Sequence, residues 1–120
     1  MIDSTGAVVV LARGSLAGDT AHLAVRVALA LPLGGSQVVL ALVDAAAALA
    51  LPEADPGGRG SQLARELESL TEDEEVPILV ERDSLVRLGF GDRGLRRGAV
   101  AVDGEELRRV CLMARSCLVL

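Results

Sequence analysis

The chain contains no lysine, asparagine, tyrosine or tryptophan, and Phe90 is its single aromatic residue. Without lysine there is no Schiff-base chemistry and no Walker-type phosphate loop. One aromatic ring leaves few platforms for stacking bases or sugars. The twelve basic residues are all arginine, and seventeen acidic residues outnumber them, for a net charge of −5. An acidic domain repels phosphate backbones, so no nucleic-acid partner is expected. There are only two cysteines, Cys111 and Cys117. They do not make a disulfide framework, and their spacing is not that of metal ligands, so no metal and no cofactor is expected. No apolar run reaches the roughly 20 residues a membrane span requires. The segment 1–5 has no positive region ahead of an apolar run, so no signal peptide and no membrane are expected, and the expected location is cytoplasmic.

What is present is apolar. Such residues make up 51% of the 120, and the mean hydropathy is +0.44. This length suits one domain, 1–120, with one core built from Val, Leu and Ala. The apolar surplus in so short a chain points to surface covered by another subunit, in a homo- or hetero-oligomer.

Strands and helices alternate. Gly6–Ala12 is a β-branched run of the kind buried on both faces of a sheet. After the loop 13–18, Asp19 or Thr20 can cap a helix running to about Leu31, with Leu23, Val27, Ala30 and Leu31 on its inner face. Pro32 and Gly34–Gly35 stop it. Val38–Val43 is a second buried strand; Asp44 at its carboxyl end can cap a short helix, Ala45–Leu51. The stretch 52–60 is a loop. A helix over Gln62–Leu70 buries Leu63, Leu67 and Leu70, and an acidic connection, Thr71–Glu75, follows. Val76–Val80 is the third strand, with Glu81 at its end; Asp83 or Ser84 starts a short helix that Gly89 stops. Gly91–Gly98 is a turn, and Ala99–Val102 a fourth strand. Asp103 caps a helix to about Ala114, with Glu106 at the capping-box position. Cys117–Leu120 is a terminal strand. The order predicts an α/β fold, a three-layer α/β/α sandwich around a five-stranded, mostly parallel sheet.

Several residues could carry chemistry. Gly14–Thr20 follows a strand and opens a helix, the context of a phosphate loop. Its spacing is one residue short, however, and Asp19, which repels phosphate, stands where lysine would be. His22, the lone histidine, falls in the first turn of the first helix, as a base or ligand or simply an exposed residue. Arg82, Arg87, Arg93, Arg96 and Arg97 form a basic zone suited either to an anion or to local ion pairs. Cys111 lies mid-helix between Arg108 and Arg115, as a reactive thiol or a small core residue, and Cys117 is expected to be buried. In open α/β sheets ligands gather at the carboxyl ends of strands. A ligand site there would use Gly14, Ser15, His22, Asp44, Glu81, Arg82 and Ser84, in a concave polar pocket.

The order and spacing of these elements resemble the DsrE/DsrF family of small sulfur-relay proteins, most closely its DsrF/TusC type. The likeness begins with the glycine loop at Gly14 and continues through the Asp44–Leu49 segment. It is clearest from Val80 to Leu120, through Ser84–Gly89, the acidic-capped helix at Asp103–Leu107 and the terminal strand. The resemblance implies an oligomer, and a cysteine just past the third strand that carries persulfide sulfur. In this chain Glu81 occupies that place, and a carboxylate cannot hold a persulfide. The resemblance therefore implies a non-catalytic member, a structural or regulatory subunit. The alternatives are sulfur transfer through Cys111, or a small-ligand or anion-binding domain.

Overall fold

The computed structural model describes residues 3–14, 19–52 and 62–120. Within them the chain forms β1 (Val8–Ala12), α1 (Asp19–Ala30), β2 (Val38–Leu42), α2 (Gln62–Glu72), β3 (Ile78–Glu81), α3 (Arg82–Arg87), β4 (Ala99–Val102), α4 (Gly104–Met113) and β5 (Ser116–Val119). Tight 3₁₀ turns occupy Leu31–Gly34 and Asp44–Ala50. The strands make one sheet of order β4-β3-β2-β1-β5. Every strand pairing in it is parallel, which sharpens the expectation of a mostly parallel sheet. The sole antiparallel contact among the described residues is an isolated bridge, Thr5 to Ala114.

Strand period divides the residues between two cores. Val10, Ala12, Val38, Leu40, Leu42, Ile78 and Val80 face one way, packed against α1, α2 and the Asp44–Ala50 turn. Val9, Val39, Ala41, Leu79 and Val102 face the other, where Leu107 and Val110 of α4 cover them. The central strands are thus buried on both sides, which accounts for their unbroken Val/Leu/Ala runs.

Two inner-face expectations are corrected. Helix α1 buries Ala21, Ala24, Val25 and Ala28, and Leu23 is 48% exposed. Both stripes have helical spacing, but the alanine stripe lets the helix axis approach the sheet, and the bulkier leucine turns outward. Cys117 is exposed, not buried. The sheet order leaves β5 as an edge strand, paired only with β1, and all four of its residues are exposed.

The α4 start is formed as expected: Asp103 Oδ1 accepts from the Glu106 backbone N–H at 2.7 Å. Gly98 has φ +86° and lies against the Thr71 side chain, so a Cβ there meets both backbone strain and a collision. Arg96 ties the 91–98 turn to the 3₁₀ turn through three bonds. Its Nε donates to Leu49 O at 2.7 Å, its Nη2 to Leu51 O at 3.1 Å and its backbone N–H to Ala50 O at 2.7 Å. No helix among the described residues is long and apolar enough to cross a membrane.

Candidate functional site

At the carboxyl ends of β2 and β3 the chain assembles a compact polar cluster. Glu81, the last residue of β3, immediately precedes α3. One turn into α3, Ser84 is fully buried. Its Oγ donates to Glu81 Oε1 at 2.6 Å and accepts from the Asp44 backbone N–H at 2.8 Å. Arg87, a further turn on, directs Nη2 to Ser84 Oγ at 3.1 Å, Asp44 Oδ1 at 3.2 Å and Glu81 Oε1 at 3.4 Å. The Ser84 hydroxyl therefore spends its one proton and both lone pairs inside the cluster. The carboxylate oxygen that accepts its proton also accepts from Arg87, and the hydroxyl itself is fully buried, so it has no exposed lone pair with which to attack a ligand.

Asp44 does not cap the 3₁₀ turn, contrary to expectation. The residue flanking that turn is Val43, and no side-chain capping bond forms. Asp44 instead sits in the turn's first position with φ 51°, a left-handed conformation that aspartate tolerates better than most residues. Its N–H, bonded to Ser84, helps hold it there. The short helix likewise starts earlier than expected, at Arg82.

Glu81 also meets α4. A Cβ placed on Gly104 would lie 3.7 Å from Glu81 Oε2. Glu81 thus stands where α3 and α4 both begin. Cys111 is seven residues into α4 beyond Gly104, or about 10 Å along the helix at 1.5 Å per residue. The two cysteines accordingly belong to another part of the molecule.

The other expected site residues do not join this cluster. Arg82 turns to β4, donating to Ala101 O at 3.2 Å. His22, half-buried on α1, lines a separate open groove of about 390 Å³ with Asp19, Thr20, Leu23 and Arg26. Gly14 follows β1 and packs so tightly on the Thr20 side chain that a Cβ would collide with it, which explains the glycine without a ligand. Ser15 lies outside the described residues. Among the described residues, none of the larger cavities is lined by Asp44 together with Glu81 and Ser84. Glu81, Ser84, Asp44 and Arg87 bond to one another there; the loop 15–18 of the expected pocket lies outside the described residues. The remaining arginines of the basic zone are engaged locally. Arg93 lies over the Phe90 ring, 6.0 Å from its centroid, Arg97 pairs with Glu72 at 3.8 Å, and burial pulls the Arg96 guanidinium below its usual value.

Two participants lay outside the expected ligand site, although Arg87 belonged to the basic zone expected to form local ion pairs. Arg87, three residues past Ser84 and six past Glu81, is placed by helical spacing to reach both. Cys117 pairs with Cys111: the Cys117 thiol stands within hydrogen-bonding reach of it. Burial, chiefly, pushes the Cys111 thiol up to about 11, and the charge and hydrogen bond of Cys117 add to the effect. A thiol so raised is a poor nucleophile at neutral pH, which weighs against Cys111 as an isolated sulfur carrier.

No protein-family model matches the chain, and no curated protein matches it. Among solved structures it is similar to the crystal structure of the ychN protein from E. coli. The TM-score is 0.84 at 24% sequence identity, over 97% of this chain and 100% of that one. The likeness establishes the five-stranded parallel α/β architecture.

Proposed function

We propose that this chain is a DsrE/DsrF-like protein that does not carry sulfur at the end of β3, and that it serves as a structural or regulatory subunit of a small oligomer in sulfur-relay-type metabolism. The observation behind this reading is the closed cluster around Glu81. By the order of motifs in the sequence, the resemblance expects a persulfide thiol just past β3, and in this reading Glu81 occupies that position. A carboxylate bonded to Ser84 and Arg87 fills that place. It offers no sulfur atom.

The oligomer is supported by apolar surface on the α4 side of the molecule. Leu112 is 72% exposed, and Val100 and Val119 are each 52% exposed on the sheet face that α4 covers only in part. A helix and two edge strands carrying that much bare apolar surface gain by being covered.

The test pairs two measurements on the full chain. Incubation with a persulfide donor followed by intact mass is expected to show no retained extra sulfur atom. Light scattering at micromolar concentration is expected to give a multiple of the 12.4 kDa chain. A stably held sulfur would contradict the non-carrier reading, and a monomer mass would contradict the oligomer.

A further inference from the structure

A second place in the molecule concentrates chemistry, and it stands independently of the Glu81 cluster. Cys111 is on α4, packed against the core that contains Val9, Leu107 and Val110. Cys117 is on β5, directly opposite Val9 in the strand register. In a parallel pair, residues in register share a face, and the Val9 face is the one α4 covers. The two thiols therefore meet across the gap between α4 and the edge strand, within hydrogen-bonding reach of each other. Both are free. One is half-buried and the other exposed, which is the asymmetry of a resolving thiol behind an attacking one.

We propose that Cys111 and Cys117 form a two-electron dithiol–disulfide site, oxidised by low-molecular-weight disulfides of the glutathione class. In the first step the exposed Cys117, as thiolate, attacks one sulfur of the small disulfide. A Cys117–small-thiol mixed disulfide forms and the first small thiol leaves, taking up a proton. In the second step Cys111 gives up its proton to solvent, and its sulfur attacks the Cys117 sulfur. The Cys111–Cys117 bond forms and the second small thiol leaves. The protein loses two electrons and two protons, and the small disulfide gains them as two thiols. Such pairs in reducing compartments are characteristically transient and redox-responsive rather than structural. Here the bond would staple the end of α4 to the otherwise one-sided β5.

The burial that raises Cys111 also shapes the kinetics. A rise from about 9 to about 11 leaves roughly 100-fold fewer thiolates at neutral pH, and the higher intrinsic nucleophilicity of a more basic thiolate returns part of that, for a net slowing of about tenfold. Cys111 is thus poor at meeting an oxidant in solution, yet it is held beside Cys117 and needs no encounter for the second step.

The test is exposure of the full chain to oxidised glutathione, quenching by alkylation, and intact mass. The expected product has lost two hydrogens, carries no glutathionyl group, remains a single chain when denatured, and reverts with dithiothreitol. Cys111→Ser is expected to stop at one glutathionyl group per chain. Cys117→Ser, which leaves only the half-buried thiol, is expected to react several-fold more slowly than Cys111→Ser. Accumulation of glutathionylated wild type without loss of two hydrogens would overturn the pairing. A disulfide joining two chains would overturn it as well. Because the wild-type result needs no substitution, a variant that fails to fold does not rescue or sink the proposal.

Discussion

The carboxyl edge of the sheet and the α4–β5 gap each gather reactive side chains, and they resolve them in opposite ways. At the carboxyl edge, Glu81, Ser84, Asp44 and Arg87 saturate one another. Two carboxylates meet one guanidinium, and a buried hydroxyl links them. In the gap, Cys111 and Cys117 have chiefly each other, and one of them faces solvent. The first arrangement resembles a place for chemistry but is built as a joint between the β2 and β3 ends. The second lies where no ligand-binding rule directs attention, at an edge strand, yet it keeps its reactive atoms uncommitted. Reactivity here follows what the side chains have left to give, not where the fold customarily places a site.

The joint is broken most severely by Ser84→Ala. That change leaves the part-buried Asp44 N–H without its acceptor and removes one of the two donors to Glu81 Oε1, and an orphaned group costs about 1–3 kcal/mol. A loss of about 2–3 kcal/mol in urea unfolding is expected, whereas Cys111→Ser and Cys117→Ser should each cost less. Equal losses at the two places would erase the contrast. Arg96→Ala, which removes two charge-assisted bonds to Leu49 and Leu51 carbonyls, is expected to cost about 2 kcal/mol by the same measurement.

The thiol pair predicts a dependence on pH. The folded Cys111 value is raised to about 11 from a usual 9, so the fold favours the neutral thiol. Its contribution is fully present below about 9 and is lost as pH climbs toward about 11. Unfolding midpoints should fall across that window in the wild type, and by less in Cys111→Ser. The smallest effect is expected for Arg87→Ala. Arg87 is exposed, so its two ion pairs contribute about 0–1 kcal/mol and weaken with salt. A larger loss, insensitive to salt, would show that the joint depends on Arg87 more than its exposure allows.

Much of the fold was legible because its determinants are local. Buried parallel strands write themselves as Val/Leu/Ala runs, Asp103 and Glu106 announce α4, and Gly89 and Gly98 mark turns. The position of Glu81 at a strand end was legible for the same reason. What depended on tertiary order was not. Whether Cys117 is buried turns on β5 lying at the edge beside β1, which no residue of β5 encodes by itself. Which of two α1 stripes faces inward was settled by close approach to the sheet, favouring alanines over leucines. Asp44 has the composition of a cap, but its N–H found a partner forty residues away in Ser84.

The central proposal is that the β3 end keeps the shape of a sulfur-carrying place while lacking the thiol. Two helix starts converge there, and Arg87 stands by; all would lower the pKa of a thiol. The direct measurement compares two proteins after a persulfide donor, by intact mass. One is the wild type and the other is Glu81→Cys in a Cys111→Ser, Cys117→Ser background. The account predicts one retained extra sulfur atom on the variant and none on the wild type. A wild type that holds the sulfur, or a folded variant that does not, would contradict it.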